Sequence, residues 1–78
     1  MDQLRVAFRK FKDDNSVIAL FPDWVEYQGK FIQSYMHIGQ HGAASPKLLH
    51  TLAPAEKWEY EALHKELQSL GYKALQIV

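Results

Sequence analysis

The residue types that could support chemistry are concentrated in residues 34–46. Two of the four histidines and two of the four glycines lie there, beside hydroxyl side chains. An imidazole can transfer a proton, bind a metal or form hydrogen bonds, and glycine lets the backbone approach a ligand closely. These features predict a binding site in this stretch. The expected ligand-binding residues are Tyr35, His37, Gln40, His41, Gly42 and Ser45.

One hypothesis is that this stretch is a loop that binds an anion. Gly39 and Gly42 would allow left-handed turn angles, and Ser45 would cap a short helix that starts at Pro46. The free N–H groups of that helix would attract phosphate or carboxylate, although the proline removes one donor. No lysine follows at the P-loop spacing, and the three-glycine dinucleotide pattern is absent. The alternative, a glycine-rich connection whose polar groups satisfy one another, remains open.

A metal site is a weaker hypothesis. His37 and His41 have the spacing found in zinc-binding helices, but the glycines between and after them argue against a helix. A third ligand would have to be supplied by the fold, from His50, His64 or Asp23. We therefore expect neither a metal nor a cofactor.

Catalysis is also a weaker hypothesis. Serine, histidine and an acid are present as residue types, but no motif marks a nucleophile. A domain of this size also has little room for a substrate pocket. These points favour a non-enzymatic role and leave a histidine-based hydrolase or metalloprotein as the third hypothesis. Its candidate residues are Ser34, Ser45, His37, His41 and Asp23.

The first strand and the turn that follows suggest nucleic-acid binding as the second hypothesis. Exposed aromatic rings between cations can stack on bases. The formal net charge of the chain is zero, however, and two acidic residues lie in the adjacent turn. The candidate residues are Arg5, Arg9, Lys10 and Lys12, interleaved with Phe8 and Phe11.

The chain has 78 residues, which predicts one domain over residues 1–78. A domain of this length buries a limited core, so a homodimer is compatible with the sequence. There is no cysteine, and the first residues lack the apolar run of a signal peptide. No segment is apolar over the length of a membrane span. We therefore expect a cytoplasmic protein without membrane association.

The first half of the chain predicts three strands. Leu4, Val6 and Phe8 alternate with more polar residues, and an apolar run over residues 17–21 follows a turn-forming cluster, so the two form a hairpin. Pro22 is expected to end the second strand, and residues 23–30 to form a connection. The third strand, residues 31–38, would leave the face of Tyr35 and His37 half exposed.

The second half predicts two helices and a last strand. The main helix should extend from Pro54 to Leu70, with an apolar stripe of Tyr60, Leu63, Leu67 and Leu70 and a glycine cap at Gly71. We expect Trp58 to pack against the short helix at residues 46–51. Residues 72–78 form the last strand, with Leu75 and Ile77 inward. The fold class is therefore α+β, with an antiparallel sheet of three or four strands in the order β-β-β-α-β and one main helix on one face.

Four segments carry a family resemblance: residues 8–11, 17–22, 34–42 and 59–67. The most specific is Ser34-Tyr35-Met36-His37-Ile38-Gly39-Gln40-His41-Gly42. With them the chain resembles a family of small uncharacterised proteins of bacteria, mobile elements and phages. The resemblance implies a complete accessory protein and no particular activity.

Together, these features favour a small non-enzymatic binding or interaction module. Its surface would centre on residues 37–45, with Tyr35 beside it. The expected partner is another protein or a small anionic ligand.

Overall fold

The computed structural model describes residues 4–36 and 40–78, with Gln40 described by its backbone alone. It is an α+β domain, as the sequence predicts, but the described residues form six strands rather than three or four. The strands are β1 Leu4–Lys10, β2 Val17–Glu26, β3 Phe31–Met36, β4 Gln40–Ala44, β5 Ala53–Pro54 and β6 Leu75–Ile77. The helices are α1 Leu48–Thr51 and α2 Lys57–Ser69. The sheet order is β4-β3-β2-β1-β5, and β6 pairs in parallel with the first half of β1.

The predicted hairpin of β1 and β2 is confirmed. The two strands pair antiparallel, with Ala7 opposite Leu20. In the turn, Asn15 adopts a left-handed φ of 62°. The Asp14 carboxylate accepts hydrogen bonds from the backbone N–H of Ser16 at 3.0 Å and from its hydroxyl at 2.8 Å. Short polar side chains stabilise the turn in the expected way.

Pro22 does not end β2, contrary to the prediction. The strand continues to Glu26, with a register shift between Phe21 and Val25 that leaves Pro22 outside the regular ladder. A proline is tolerated there because a bulge does not need its missing N–H. The expected connection therefore shortens to a turn at residues 27–30, in which Gly29 has a positive φ of 88°.

The sheet is covered on both faces, with the main helix on one and the segment around the short helix on the other. On one face α2 packs over a core formed by Val6, Phe8, Ala19, Phe21, Tyr35, Leu63 and Leu67. On the other, the segment around α1 packs over Ala7, Ile18, Leu20, Ile32 and Ala44. The short helix was predicted, but its place on the opposite face was not, because a helix of four residues has too short an apolar pattern to indicate which face it covers. The face of Tyr35, expected to be half exposed, lies under α2.

Helix α2 begins at Lys57, later than predicted, because Pro54 instead pairs with Arg9 in the sheet. Glu56 and Glu59 form a reciprocal capping box at its start. Leu63 and Leu67 are buried as predicted, but Leu70 is 53% exposed. Trp58 is 78% exposed, so the prediction that it packs against α1 is wrong.

At the end of the chain, β6 is shorter than the predicted last strand. Leu75 is partly buried against the α2 core, as expected, whereas Ile77 is 41% exposed. No helix among the described residues is long and apolar enough to cross a membrane.

An ion pair at the start of α2 leads to a pH prediction. Lys10 Nζ lies 2.7 Å from Glu59 Oε2, and the backbone N–H of Glu56 donates to Glu59 Oε1 at 2.8 Å. These hydrogen bonds lower the pKa of Glu59 below its ordinary value of 4.5, that of Lys10 having the larger effect. The stabilisation is therefore fully present above that value and is lost as the pH falls through the lowered pKa.

Glu59→Gln should accordingly reduce the free energy of unfolding at neutral pH and flatten its decline with acid. Urea denaturation from neutral pH to below pH 4.5 measures this. Glu61→Gln, an exposed neighbour on the same helix, is the control and should keep the wild-type slope. An unchanged acid slope in Glu59→Gln would contradict the prediction.

Candidate functional site: the open edge of the sheet

The stretch expected to be a glycine-rich loop contains an edge strand. Residues 40–44 form β4, which pairs antiparallel with β3, placing His41 opposite Tyr35 and Ala44 opposite Ile32. Gly42 has no left-handed φ, and an added Cβ would meet no atom within 4 Å. The expectation of a left-handed turn at Gly42 is therefore wrong. Residues 40–44 are extended, and His41, Gly42 and Ala43 are exposed.

His41 is exposed, as predicted, and lies on the α2 face of β4. Its ring makes an edge contact with the ring of Tyr35, with centroids 4.7 Å apart. Its Nε2 lies 3.3 Å from the hydroxyl oxygen of Tyr72. These two contacts orient the imidazole while one side of it faces solvent. The other expected histidine, His37, lies outside the described residues.

Tyr35 lies beneath this surface and is fully buried. Its hydroxyl donates a hydrogen bond to the carboxylate of Glu66 on α2. A side chain in this position supports His41 from below and does not reach solvent. Tyr35 therefore contacts the ring of His41 and is shielded from solvent, whereas a residue in direct ligand contact was expected from sequence.

Tyr72 is part of the site but was assigned by sequence to a strand. It follows Gly71, whose φ is 111°, and its backbone N–H donates to the Leu67 carbonyl at 3.1 Å. With the Gly71 to Gln68 hydrogen bond, this is a Schellman cap, in which the residue after the glycine folds back onto the helix. The ring stacks on Phe21 at 5.6 Å. Glycine followed by an aromatic residue was the signal for this placement.

Ser45 leads from β4 into α1, on the opposite face from α2. Its hydroxyl accepts a hydrogen bond from the Lys47 backbone N–H at 3.2 Å and so stabilises the turn before α1, but the predicted N-cap at Ser45 is wrong, because Lys47 occupies that position without a side-chain cap. The helix itself starts at Leu48 and has only four residues. Ser34 is buried and donates to the Gly42 carbonyl oxygen at 2.8 Å. Both hydroxyls are thus used in structural hydrogen bonds.

The basic residues of the first hairpin are mostly engaged within the molecule. Arg5 forms a two-point contact with Asp23 at 2.7 and 2.8 Å, which holds the pKa of that carboxyl below its usual range. Arg9 Nε donates to the Leu49 carbonyl at 3.1 Å. Lys10 pairs with Glu59, and Lys12 is exposed in the turn. The hairpin therefore offers few uncommitted cations to a phosphate backbone.

The remaining histidines lie on the helices. His64 contacts Phe8 and Tyr60 and lines a shallow groove of about 340 Å³ between α2 and β6. His50 is exposed on α1. Across residues 4–36 and 40–78, no three histidine or acidic side chains come together in an arrangement that could hold a metal ion.

Comparisons with known proteins give no relative for this chain. No family model, curated protein or solved structure matches it.

Proposed function

We propose that this chain is a small non-enzymatic interaction module that binds a protein segment along the open edge of β4. The observation that supports this proposal is that β4 is a terminal strand of the sheet that residues 4–36 and 40–78 form, that it exposes His41, Gly42 and Ala43, and that its sequence Gln-His-Gly-Ala-Ala has no lysine, acid or proline. Natural sheets usually protect such edges with lysine, proline or a bulge. An unprotected edge favours strand addition, in which backbone hydrogen bonds hold an extended partner.

His41 would supply the side-chain part of recognition. It is exposed, it lies on β4, and its ring is oriented by Tyr35 and Tyr72. A partner strand beside β4 would pass next to this imidazole. Recognition by side chains of alternate residues, added to the backbone ladder, is how strand addition gains specificity.

A protein segment is better supported than a small anion. The anion hypothesis needed a glycine-rich loop and a helix N-terminus, but residues 40–44 are extended and α1 is a single turn. Ser45, the expected anion ligand next to α1, already accepts a hydrogen bond from the Lys47 backbone N–H.

A displayed library of short random peptides tests the proposal. Wild-type protein should select peptides that lose affinity when alternate backbone amides are N-methylated. His41→Ala should weaken their binding by about tenfold, the loss of roughly 1.4 kcal/mol, while keeping the wild-type circular dichroism spectrum. Trp58→Ala, which removes another exposed ring, on α2, is the control and should bind normally. Selection of no peptide, or of peptides indifferent to His41, would contradict the proposal.

A further inference from the structure

We infer that β4 pairs with β4 of a second copy of the chain, antiparallel and about a two-fold axis at Gly42. This inference rests on the proposed function and names its partner. The axis places Gly42 opposite Gly42 of the second copy, so that the two sheets join into one continuous sheet with both α2 helices on the same side. An interface of this kind uses the same patch on both subunits.

The sequence of β4 is complementary to itself in this register. Its larger side chains are at one end, Gln40 and His41, and its small ones at the other, Ala43 and Ala44. An antiparallel pairing about Gly42 sets Gln40 opposite Ala44, and His41 opposite Ala43, in both directions. Each larger side chain therefore meets a small one, and no like charges face each other across the axis.

The rest of the sheet explains why pairing would occur at β4. The opposite edge, beside β1, is divided between β5, which has two residues and a proline, and β6, which has three. A short, interrupted edge of this kind resists strand addition. By contrast, β4 offers five consecutive residues with exposed His41, Gly42 and Ala43.

The dimer would also complete the site around His41. Cross-strand neighbours on one sheet face lie close together, so the second copy would place its Ala43 against His41 and its own His41 two residue pairs further along, on the same face. Tyr72 of each chain, already 3.3 Å from its own His41, would border the joined surface. The inferred dimer thus presents two imidazoles and two phenols on one face.

Cysteine cross-linking tests the register, because the chain has no cysteine of its own. Gly42→Cys should be tolerated, since a Cβ there meets nothing within 4 Å. Directly opposed residues of antiparallel strands have Cα atoms about 4.5–5.5 Å apart, within the range that a disulfide spans. With oxidised glutathione, Gly42→Cys should form a disulfide-linked dimer at least about tenfold faster than the exposed control Ala74→Cys, corresponding to roughly 1.4 kcal/mol of pre-association. Equal rates would overturn the inferred register.

Sedimentation equilibrium of the unmodified chain tests the dimer itself. The wild-type protein should dimerise with a dissociation constant below about 1 mM, which is the weak end of specific affinities. Ala43→Lys places a charge at the edge and should shift the protein to monomer, while Ala74→Lys, the same change at an exposed residue away from β4, should not. A wild-type monomer at all concentrations would overturn the inference. If that monomer still selects peptides in a His41-dependent way, the proposed function stands and only the identity of the partner is wrong.

Discussion

Leu67→Ala is expected to lower the free energy of unfolding by about 2–5 kcal/mol, because it opens a cavity in the core under α2. Leu67 is fully buried and packs in the cluster that contains Phe8, Phe21 and Tyr35. The total stability of a domain is typically only about 5–15 kcal/mol, so this single change consumes a large part of it. Urea denaturation monitored by tryptophan fluorescence and circular dichroism measures the loss.

The neighbouring Gln68→Ala serves as the matched control. Gln68 lies on the same helix but is exposed, and its replacement should change stability by no more than about 0.5 kcal/mol. Equal destabilisation by the two variants would mean that α2 packs through a different face. A Leu67→Ala protein as stable as wild type would likewise contradict the assignment of Leu67 to the packed face of α2.

Phe21→Ala is expected to lower the free energy of unfolding by about 3–5 kcal/mol, which is the second large effect. Phe21 is fully buried on the α2 face of β2, where its ring contacts Tyr72 at 5.6 Å and Trp24 at 5.8 Å. Its loss should also release Tyr72, which positions His41. If the variant folds at low temperature, the NMR resonances of the Tyr72 and His41 rings should shift.

Phe31→Ala is the matched control, because it removes the same type of side chain from a position that is not buried. Phe31 is a phenylalanine on the adjacent strand, 39% exposed and in contact with Tyr27. Its truncation should cost only about 1 kcal/mol, the scale of an aromatic pair. If Phe31→Ala lowered the free energy of unfolding as much as Phe21→Ala, the assignment of Phe21 to the core and of Phe31 to the surface would be contradicted.

Much of the scaffold could be predicted because its signals are local. The hairpin of β1 and β2, the polar turn at residues 12–16 and the burial of Leu63 and Leu67 each depend on neighbouring residues alone, and each is confirmed, although Leu70 of the predicted stripe is exposed. The capping glycine Gly71 belongs to the same class, since a left-handed helix end favours glycine in any fold.

The features that sequence missed depend on pairing between distant segments. Residues 40–44 form a strand because they pair with the edge of β3, and Pro54 joins the sheet because it pairs with the end of β1 on the side away from β2. Glycine and proline disfavour strands locally, but backbone hydrogen bonds to a partner outweigh a propensity of about 1 kcal/mol. Contacts between distant segments also explain why the site differs from the predicted one. His41 is exposed as predicted, but Tyr35 is buried and the contact with Tyr72 was not predicted.

The most direct measurement of β4 as an interaction surface is a dilution series followed by two-dimensional ¹⁵N–¹H NMR. Between about 1 mM and about 10 μM chain, a range that spans weak specific association, the amide shifts should change along Gln40–Ala44 and at Tyr72. The amides of Trp58 and Tyr27, two exposed aromatic residues away from β4, should remain fixed. Changes centred on Trp58 or Tyr27, with β4 unaffected, would contradict the assignment of the binding surface to this edge.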